Sequence, residues 1–167
     1  MGKLVLVVCF LLSLSSNLEA KKKKKLKECH HSNLAFRCVE YVRNYDGDTV
    51  TFDIPEIHPV FGSAINVRVR GIDTAEINSG EPCEKDAAIK ARTLVAETME
   101  SAARIDLLGP ERGKYFRIVA EIAYDGKPLS RLLLNNNLAY IYEGGTKPRV
   151  DWCDMLKRPP PQTEATP

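Results

Sequence analysis

The chain has 167 residues, of which 44% are hydrophobic and 28% are charged. This length and composition predict one globular domain with a modest core, and they exclude collagen-like and wholly disordered proteins. The formal net charge of +2 is unevenly distributed, because residues 21–28 hold six lysines against one glutamate. The body that follows is therefore mildly acidic, with a net charge of −3 over residues 29–167. The basic character of the chain is therefore confined to one short lead segment.

The first twenty residues have the pattern of a secretory signal peptide. Lys3 precedes an apolar run over residues 4–14, and Ala20 offers a cleavage position. The run is shorter than the about 20 apolar residues that a membrane-spanning helix needs. We therefore predict that residues 1–20 are removed, that the mature protein has no stable membrane span, and that it is secreted or periplasmic.

Both ends of the mature chain have low-complexity composition. The lysine run predicts a disordered lead segment over residues 21–34, acting either as a solvated leader or as an electrostatic arm for nucleic acid or membranes. Three consecutive prolines predict a disordered tail over residues 158–167. The folded domain is expected to lie between them, over residues 35–157, and to be a monomer.

Four cysteines remain after signal cleavage. In an exported chain they predict two disulfides with three possible connectivities, which spacing alone does not decide. Our working choice pairs Cys29 with Cys38, and Cys83 with Cys153. A zinc site is the alternative, and it would use Cys29, His30, His31 and Cys38. Their spacing matches no common zinc finger.

Short strand patterns alternate with helical ones along the body of the chain. Strands are predicted at residues 36–43, 50–54, 65–71, 104–108 and 117–124, with Asp-Gly turns after the first and the last. Helices are predicted at residues 84–102 and 129–136, with a stub over 149–157, whereas residues 55–64 read as a loop. Asn137 is expected to close the second helix in the left-handed conformation. This order predicts an α+β fold: a five-stranded OB-type β-barrel with two to three helices.

Two short motifs concentrate the chemistry. Asp46 and Asp48 flank a glycine at a tight turn, and Asp73 and Glu76 follow a strand that carries Arg68. Carboxylates with a backbone carbonyl suit calcium or magnesium rather than zinc. Arginine beside such a cation suits a phosphate. A cation, a group that positions water and added positive charge are what phosphodiester cleavage requires.

In combination, these motifs resemble the staphylococcal nuclease, or thermonuclease, family. The similarity covers residues 36–142, about two-thirds of the chain. The family's Asp-Gly-Asp-Thr turn matches residues 46–49, and its arginine-to-glutamate motif matches residues 68–76, with Ala75 in place of proline. Its Lys-Tyr-Gly-Arg motif matches residues 114–117, with Phe116 in place of glycine.

The resemblance implies a role for each matching residue. Calcium would be bound by the side chains of Asp48 and Asp73 and by the main-chain carbonyl of Thr74, with Asp46 supporting the site. The resemblance gives the reaction to three side chains: Arg68, Glu76 and Arg117. Glu76 would hold or deprotonate the attacking water, and the two arginines would bind the scissile phosphate. A neighbouring phosphate would contact Lys114 and Tyr115.

The resemblance further implies calcium-dependent hydrolysis of DNA and RNA, with little sequence specificity and 3′-phosphate product ends. Two other functions compete with it. A non-catalytic OB module that binds nucleic acid would need a basic groove, which the acidic body disfavours. A secreted structural domain would explain the cysteines but would leave Arg68, Asp73, Glu76 and Arg117 without a role.

Overall fold

The protein is described by a computed structural model that covers residues 29–113 and 117–159. The predicted signal peptide, the lysine run, most of the predicted tail, and Lys114, Tyr115 and Phe116 lie outside the described residues. Within those two ranges, every helix is too short or too polar to cross a membrane.

The described residues form nine strands and four helices. The strands are β1 (Ala35–Phe36), β2 (Glu40–Asn44), β3 (Thr49–Asp53), β4 (Ile65–Val69), β5 (Ile72–Thr74), β6 (Ile105–Arg112), β7 (Ile118–Tyr124), β8 (Lys127–Pro128) and β9 (Ala139–Ile141). The helices are α1 (Pro59–Gly62), α2 (Pro82–Ser101), α3 (Leu129–Asn135) and α4 (Trp152–Lys157). The short helix α1 lies inside the predicted loop, and the strands β5 and β9 were not predicted.

Seven strands form the main sheet, in the order β1-β6-β7-β4-β3-β2, with β8 beside β7. All of these pairs are antiparallel except β4 with β7, which run parallel. The strands β5 and β9 pair separately, with Asp73 opposite Tyr140. The α+β class is confirmed. The sheet differs from the prediction in having seven strands rather than five, and the pairing described for it does not form a closed ring.

The first predicted strand is interrupted at residues 37–39. Cys38 has a φ of 53°, in the left-handed region, and its sulfur is bonded to Cys29. An extended strand cannot contain that backbone conformation, so the predicted strand divides into β1 and β2. The pairing of Cys29 with Cys38 also excludes the zinc alternative, because both thiols are consumed.

The long helix α2 supplies much of the core. Its residues Ala87, Ala88, Ala91, Val95 and Met99 are all buried, as the helical spacing predicted. The helix begins two residues before the predicted start, because Pro82 fits the first turn, where its missing N–H is not needed. Val95 and Met99 pack with buried side chains of the sheet, among them Val50, Phe52, Leu107 and Ile122.

The end of the domain is fixed against the start of α2. Cys153 in α4 is bonded to Cys83 in α2, which confirms the second predicted disulfide. Trp152 is buried beside Ala87 and Ala88, and Asp151 caps α4 by accepting the Asp154 N–H at 2.9 Å. Asn137 closes α3 with a φ of 56°, as predicted. Two disulfides indicate a protein that folds in an oxidising compartment.

Candidate active site

The turn between β2 and β3 directs Asp48 into the domain. The Asp46 carboxylate accepts the N–H groups of Asp48 and Thr49, at 3.1 and 2.7 Å, and so fixes the turn. The Thr49 hydroxyl donates to Asp48 Oδ1 at 3.0 Å. Asp48 is therefore held with only 3% of its surface exposed.

Gly47 allows this turn to pack closely against the rest of the domain. A Cβ atom at position 47 would lie 2.6 Å from the Ala91 Cβ in α2 and 3.0 Å from the Thr74 methyl group. Both neighbours belong to packed elements and cannot move aside readily. The glycine of the Asp-Gly-Asp motif is therefore required by packing of the turn onto α2 and β5.

Arg68 joins the turn to the second motif. From β4, its guanidinium donates to Asp48 Oδ1 at 3.0 Å and also to Asp73 Oδ1. The turn at Gly71, with a φ of 74°, reverses the chain so that β5 places Asp73 beside Arg68. The Thr74 N–H points to Asp48 Oδ2 at 3.3 Å. The two motifs, more than twenty residues apart, therefore meet at one point.

Two residues that the motifs did not identify as site residues complete the arrangement. The Tyr140 hydroxyl, in β9, donates to Asp73 Oδ2 at 2.6 Å. The Lys147 ammonium lies 2.8 Å from Asp73 Oδ2 and 2.8 Å from Glu76 Oε1. Glu76 itself is exposed, and its backbone N–H donates to Glu84 Oε1 at 3.3 Å.

We call Asp46, Asp48, Asp73 and Glu76 the carboxylate cluster. When all four are ionised they carry four negative charges, and within residues 29–113 and 117–159 the cations in contact with them are Arg68 and Lys147. Burial, followed by the negative charge of Asp46, raises the pKa of Asp48 to about 7, and Arg68 offsets this only in part. Burial likewise raises the pKa of Asp46.

Asp73 behaves in the opposite way. Its burial favours the neutral acid, but hydrogen bonds from Lys147, Tyr140 and Arg68 outweigh burial and lower its pKa. Burial lowers the pKa of Lys147, but its contacts with Asp73 and Glu76 raise it overall. The protein thus stabilises Asp73 as the anion, whereas it makes ionisation of Asp48 unfavourable.

A cavity of about 600 Å³ opens beside the cluster. Asp73, Glu76, Tyr140 and Lys147 line one part of it, and the Cys83–Cys153 disulfide lines another. The cavity gives solvent and solutes access to Glu76 and to the Lys147 side chain, which is 45% exposed.

The donor set suits a hard cation in its chemistry, since carboxylate oxygens are the ligands that calcium prefers. Within residues 29–113 and 117–159, no three acidic, histidine or cysteine side chains are already arranged around a common metal position. Arg68 and Lys147 contact oxygens of Asp48, Asp73 and Glu76 that would have to face a metal ion. The residues fit a calcium ion in type and charge, and some of these contacts must change for it to bind.

Three predicted site residues are not brought to the cluster by the described contacts. Lys114 and Tyr115 lie outside the described residues. Arg117 immediately precedes β7, and its carbonyl accepts the Gly113 N–H at 2.8 Å. It lies two residues before Val119, the parallel partner of Arg68, so strand alternation favours the same face for both arginines.

Of the two added residues, Tyr140 is an aromatic residue near the end of the matched region, and it is half-buried with its hydroxyl on Asp73. Lys147 belongs to no motif, and only the fold places it beside the cluster. Comparison of the chain with protein-family models and with curated proteins finds no match.

Proposed function

We propose that this chain is a calcium-dependent nuclease that hydrolyses the phosphodiester bonds of DNA and RNA with little sequence specificity. The observation that carries the proposal is the charge balance of the carboxylate cluster, in which, among the described residues, four carboxylates contact two cations. A divalent cation would offset the excess of acidic groups and favour the ionised form of Asp48. Arg68, which contacts the cluster, and Glu76, its exposed member, would supply the other groups that phosphodiester hydrolysis needs.

Some residues of the site would bind the calcium ion, and others would act on the phosphate. Asp48, Asp73 and the carbonyl of Thr74 would hold calcium, which would polarise a phosphate oxygen and offset the charge that develops there. Asp46 fixes the turn that presents Asp48. Arg68 is already directed at the centre of the cluster and would move from its carboxylate partners to the phosphate.

The chemical step is an attack of water on phosphorus. Glu76, at the edge of the cavity, would accept a proton from the water as its oxygen bonds to phosphorus. The bond between phosphorus and the 5′ oxygen breaks, and the leaving oxygen takes up a proton from solvent. The products are a 3′-phosphate and a 5′-hydroxyl. Arg117, with Arg68, would stabilise the charge of the transition state, and Lys114 and Tyr115 would hold a neighbouring phosphate.

We also propose that the main sheet is an OB-type barrel of five strands. Two observations support this. The parallel pair of β4 and β7 connects two otherwise antiparallel parts of the sheet, and β1 and β2 belong to one continuous segment. That segment pairs with β6 at its start and with β3 at its end, and the Val39 N–H donates to the Ile105 carbonyl between them at 2.9 Å. Counting β1 and β2 as one strand, and leaving out the two-residue β8, gives five.

Amide exchange tests the barrel. A closed barrel predicts that the Val39 N–H is protected from exchange as strongly as the amides of β3 and β6. Rapid exchange at Val39, with protection retained in β3 and β6, would instead support an open sheet.

We propose that the protein acts after export, either in the periplasm or outside the cell. The two disulfides support this proposal, because such bonds persist in oxidising compartments. Expression of the complete chain, followed by mass measurement of the exported product, tests it. A mature protein that begins near residue 21 is expected, whereas an uncleaved cytoplasmic product would contradict the proposal.

The nuclease activity is tested by incubating the purified mature protein with single- and double-stranded DNA and RNA, in calcium or in chelator. We expect degradation in calcium only, with 3′-phosphate ends. The Glu76→Gln variant should lose about 10²–10⁴ in turnover, the usual contribution of a general base. Glu81→Gln is the matched control, because Glu81 lines the same cavity without contacting the cluster, and it should retain full turnover.

Binding of nucleic acid without degradation would contradict the nuclease proposal and would support the non-catalytic OB module. Degradation that Glu76→Gln leaves unchanged would remove Glu76 from the mechanism.

A further inference from the structure

The segment between β9 and α4, residues 142–151, passes over the carboxylate cluster, and we call it the strap. Its start follows β9, which pairs with β5, and its end is fixed by buried Trp152 and by the disulfide of Cys153. Gly144 and Gly145 have φ values of 105° and 89°, so the strap turns sharply just before Lys147. Both ends are anchored, and the turn between them brings Lys147 to the cluster.

The position of Lys147 coincides with the groups that the proposed function assigns to the metal and the water. Its ammonium lies 2.8 Å from Asp73 Oδ2 and 2.8 Å from Glu76 Oε1. Asp73 and Lys147 both line the cavity, and Asp73 is 1% exposed, so its carboxylate is almost wholly covered with the ammonium in place. A divalent cation that enters from the cavity would be repelled by the Lys147 ammonium, because the ammonium already contacts Asp73, one of the proposed metal ligands.

We propose that Lys147 is an internal competitor for the divalent cation and sets the affinity of the site for it. In this structure the ammonium pairs with both Asp73 and Glu76, and metal binding would require it to leave Asp73. The ammonium would not become unpaired in that step, because Glu76 still faces it as long as no nucleic acid is bound. This inference rests on the proposed function, and it adds a residue that no motif in the chain predicts.

Release of Lys147 links metal binding to the strap. Trp152 is the single tryptophan of the chain, and its ring centre lies 6.1 Å from that of Tyr140, which donates to Asp73. A shift of the strap or of Tyr140 changes the surroundings of this indole. Tryptophan fluorescence therefore reports the exchange without any measurement of activity.

The test is calorimetric titration of calcium into the wild-type mature protein and two variants. Lys147→Gln removes the competing charge, and we expect calcium to bind about 20-fold more tightly, within the range usual for coupled equilibria. Arg149→Gln is the charge-matched control. Arg149 lies on the same strap and lines the same cavity, and it has no described contact with the cluster, so its removal should change affinity about threefold or less.

A second variant and the fluorescence signal complete the test. Lys147→Arg keeps a competing cation and should bind calcium with nearly wild-type affinity. Calcium should change the tryptophan emission of the wild type more than that of Lys147→Gln, in which no ammonium has to leave. Equal calcium affinity in the wild type, Lys147→Gln and Arg149→Gln would overturn this inference and leave the proposed function standing. Absence of calcium binding in every variant would overturn both.

Discussion

The carboxylate cluster and the group around Asp106 have opposite charge balance. In the carboxylate cluster, four carboxylates share two cations, Arg68 and Lys147. Near the other end of the sheet, Asp106 alone receives Arg37 Nη1 at 3.0 Å, Arg104 Nε at 3.0 and 3.1 Å, and the Cys38 N–H at 2.9 Å. Each group lies beside one disulfide, Cys83–Cys153 and Cys29–Cys38 respectively.

The difference in charge balance accompanies opposite pKa shifts of the buried carboxylates Asp106 and Asp48. Burial raises the pKa of Asp106, but the hydrogen bonds from Arg104, Cys38 and Arg37 outweigh burial and lower it overall. Burial and like charge leave the pKa of Asp48 raised to about 7. Asp106 thus has its negative charge balanced by protein groups, as in a structural ion pair. The carboxylate cluster has fewer contacting cations than carboxylates among the described residues, which favours binding of an external cation.

The largest expected effect is on catalysis. Replacing Arg68 with glutamine removes the cation between Asp48 and Asp73, and turnover should fall by about 10²–10³, the usual effect of losing one charge-stabilising donor. Arg37→Gln is the matched change beside Asp106 and should leave turnover unaltered while lowering stability. A turnover assay with thermal melting of both variants separates the two outcomes. Equal turnover of Arg68→Gln and Arg37→Gln would contradict the view that the carboxylate cluster is catalytic and the group around Asp106 is structural.

The next effect is on stability, and it compares the two disulfides. Cys83–Cys153 closes a sequence separation of 70 and Cys29–Cys38 one of 9. Each disulfide should contribute about 2–4 kcal/mol to the free energy of unfolding, and the longer loop should contribute more. Paired Cys→Ser variants in denaturant titration measure this. A larger loss from the 29–38 pair would show that strap anchoring contributes little to stability.

A smaller loss is expected for Asp106→Asn. It should lower the free energy of unfolding at pH 7 by about 1–3 kcal/mol, the value of hydrogen bonds to a charged group. Because the folded-state pKa is lowered, the stabilisation is present above the unfolded-state pKa and disappears as the pH falls through the folded-state value. The difference between wild type and variant should therefore shrink in acid. A difference that does not vary with pH would contradict the ion-pair account.

The last expected effect has the opposite sign. The pKa of Asp48 is raised in the folded protein, so its contribution favours folding at low pH and is lost as the pH rises through about 7. In chelator, Asp48→Asn should therefore gain stability relative to wild type more at pH 8 than at pH 5. Denaturant titration at pH 5 and at pH 8 measures this difference. An Asp48→Asn variant that is less stable than wild type at pH 8 would indicate that Arg68 fully compensates the charge of Asp48.

The sequence predicted the parts of the fold that depend on local patterns. The buried face of α2, the left-handed Asn137 and the Asp46–Asp48 turn each follow from a few neighbouring residues. The division of the first strand did not follow, because it depends on the left-handed backbone at Cys38 and on a disulfide. The three-residue strands β5 and β9 were missed, since only their pairing with each other, far apart in the chain, makes them strands.

The candidate site likewise contains residues that local sequence motifs predict and residues that only the fold brings into place. Asp48, Asp73 and Arg68 belong to motifs. Asp48 meets Arg68 through the pairing of β3 with β4, and the turn at Gly71 brings Asp73 beside Arg68. Lys147 reaches the cluster through the strap, whose path is set by the Cys83–Cys153 bond and by two glycines. Asp106 is a single acidic residue in a strand, and nothing around it in the sequence predicts the two arginines that surround it.

Calcium binding tests the central claim most directly, that the carboxylate cluster takes an external cation and Asp106 does not. Calorimetric titration should be carried out on the wild-type mature protein, Asp73→Asn and Asp106→Asn, with folding checked by circular dichroism. We predict one calcium site in the wild type, its loss in Asp73→Asn and its retention in Asp106→Asn. Absence of binding in the wild type, or binding that Asp73→Asn leaves intact, would contradict the account.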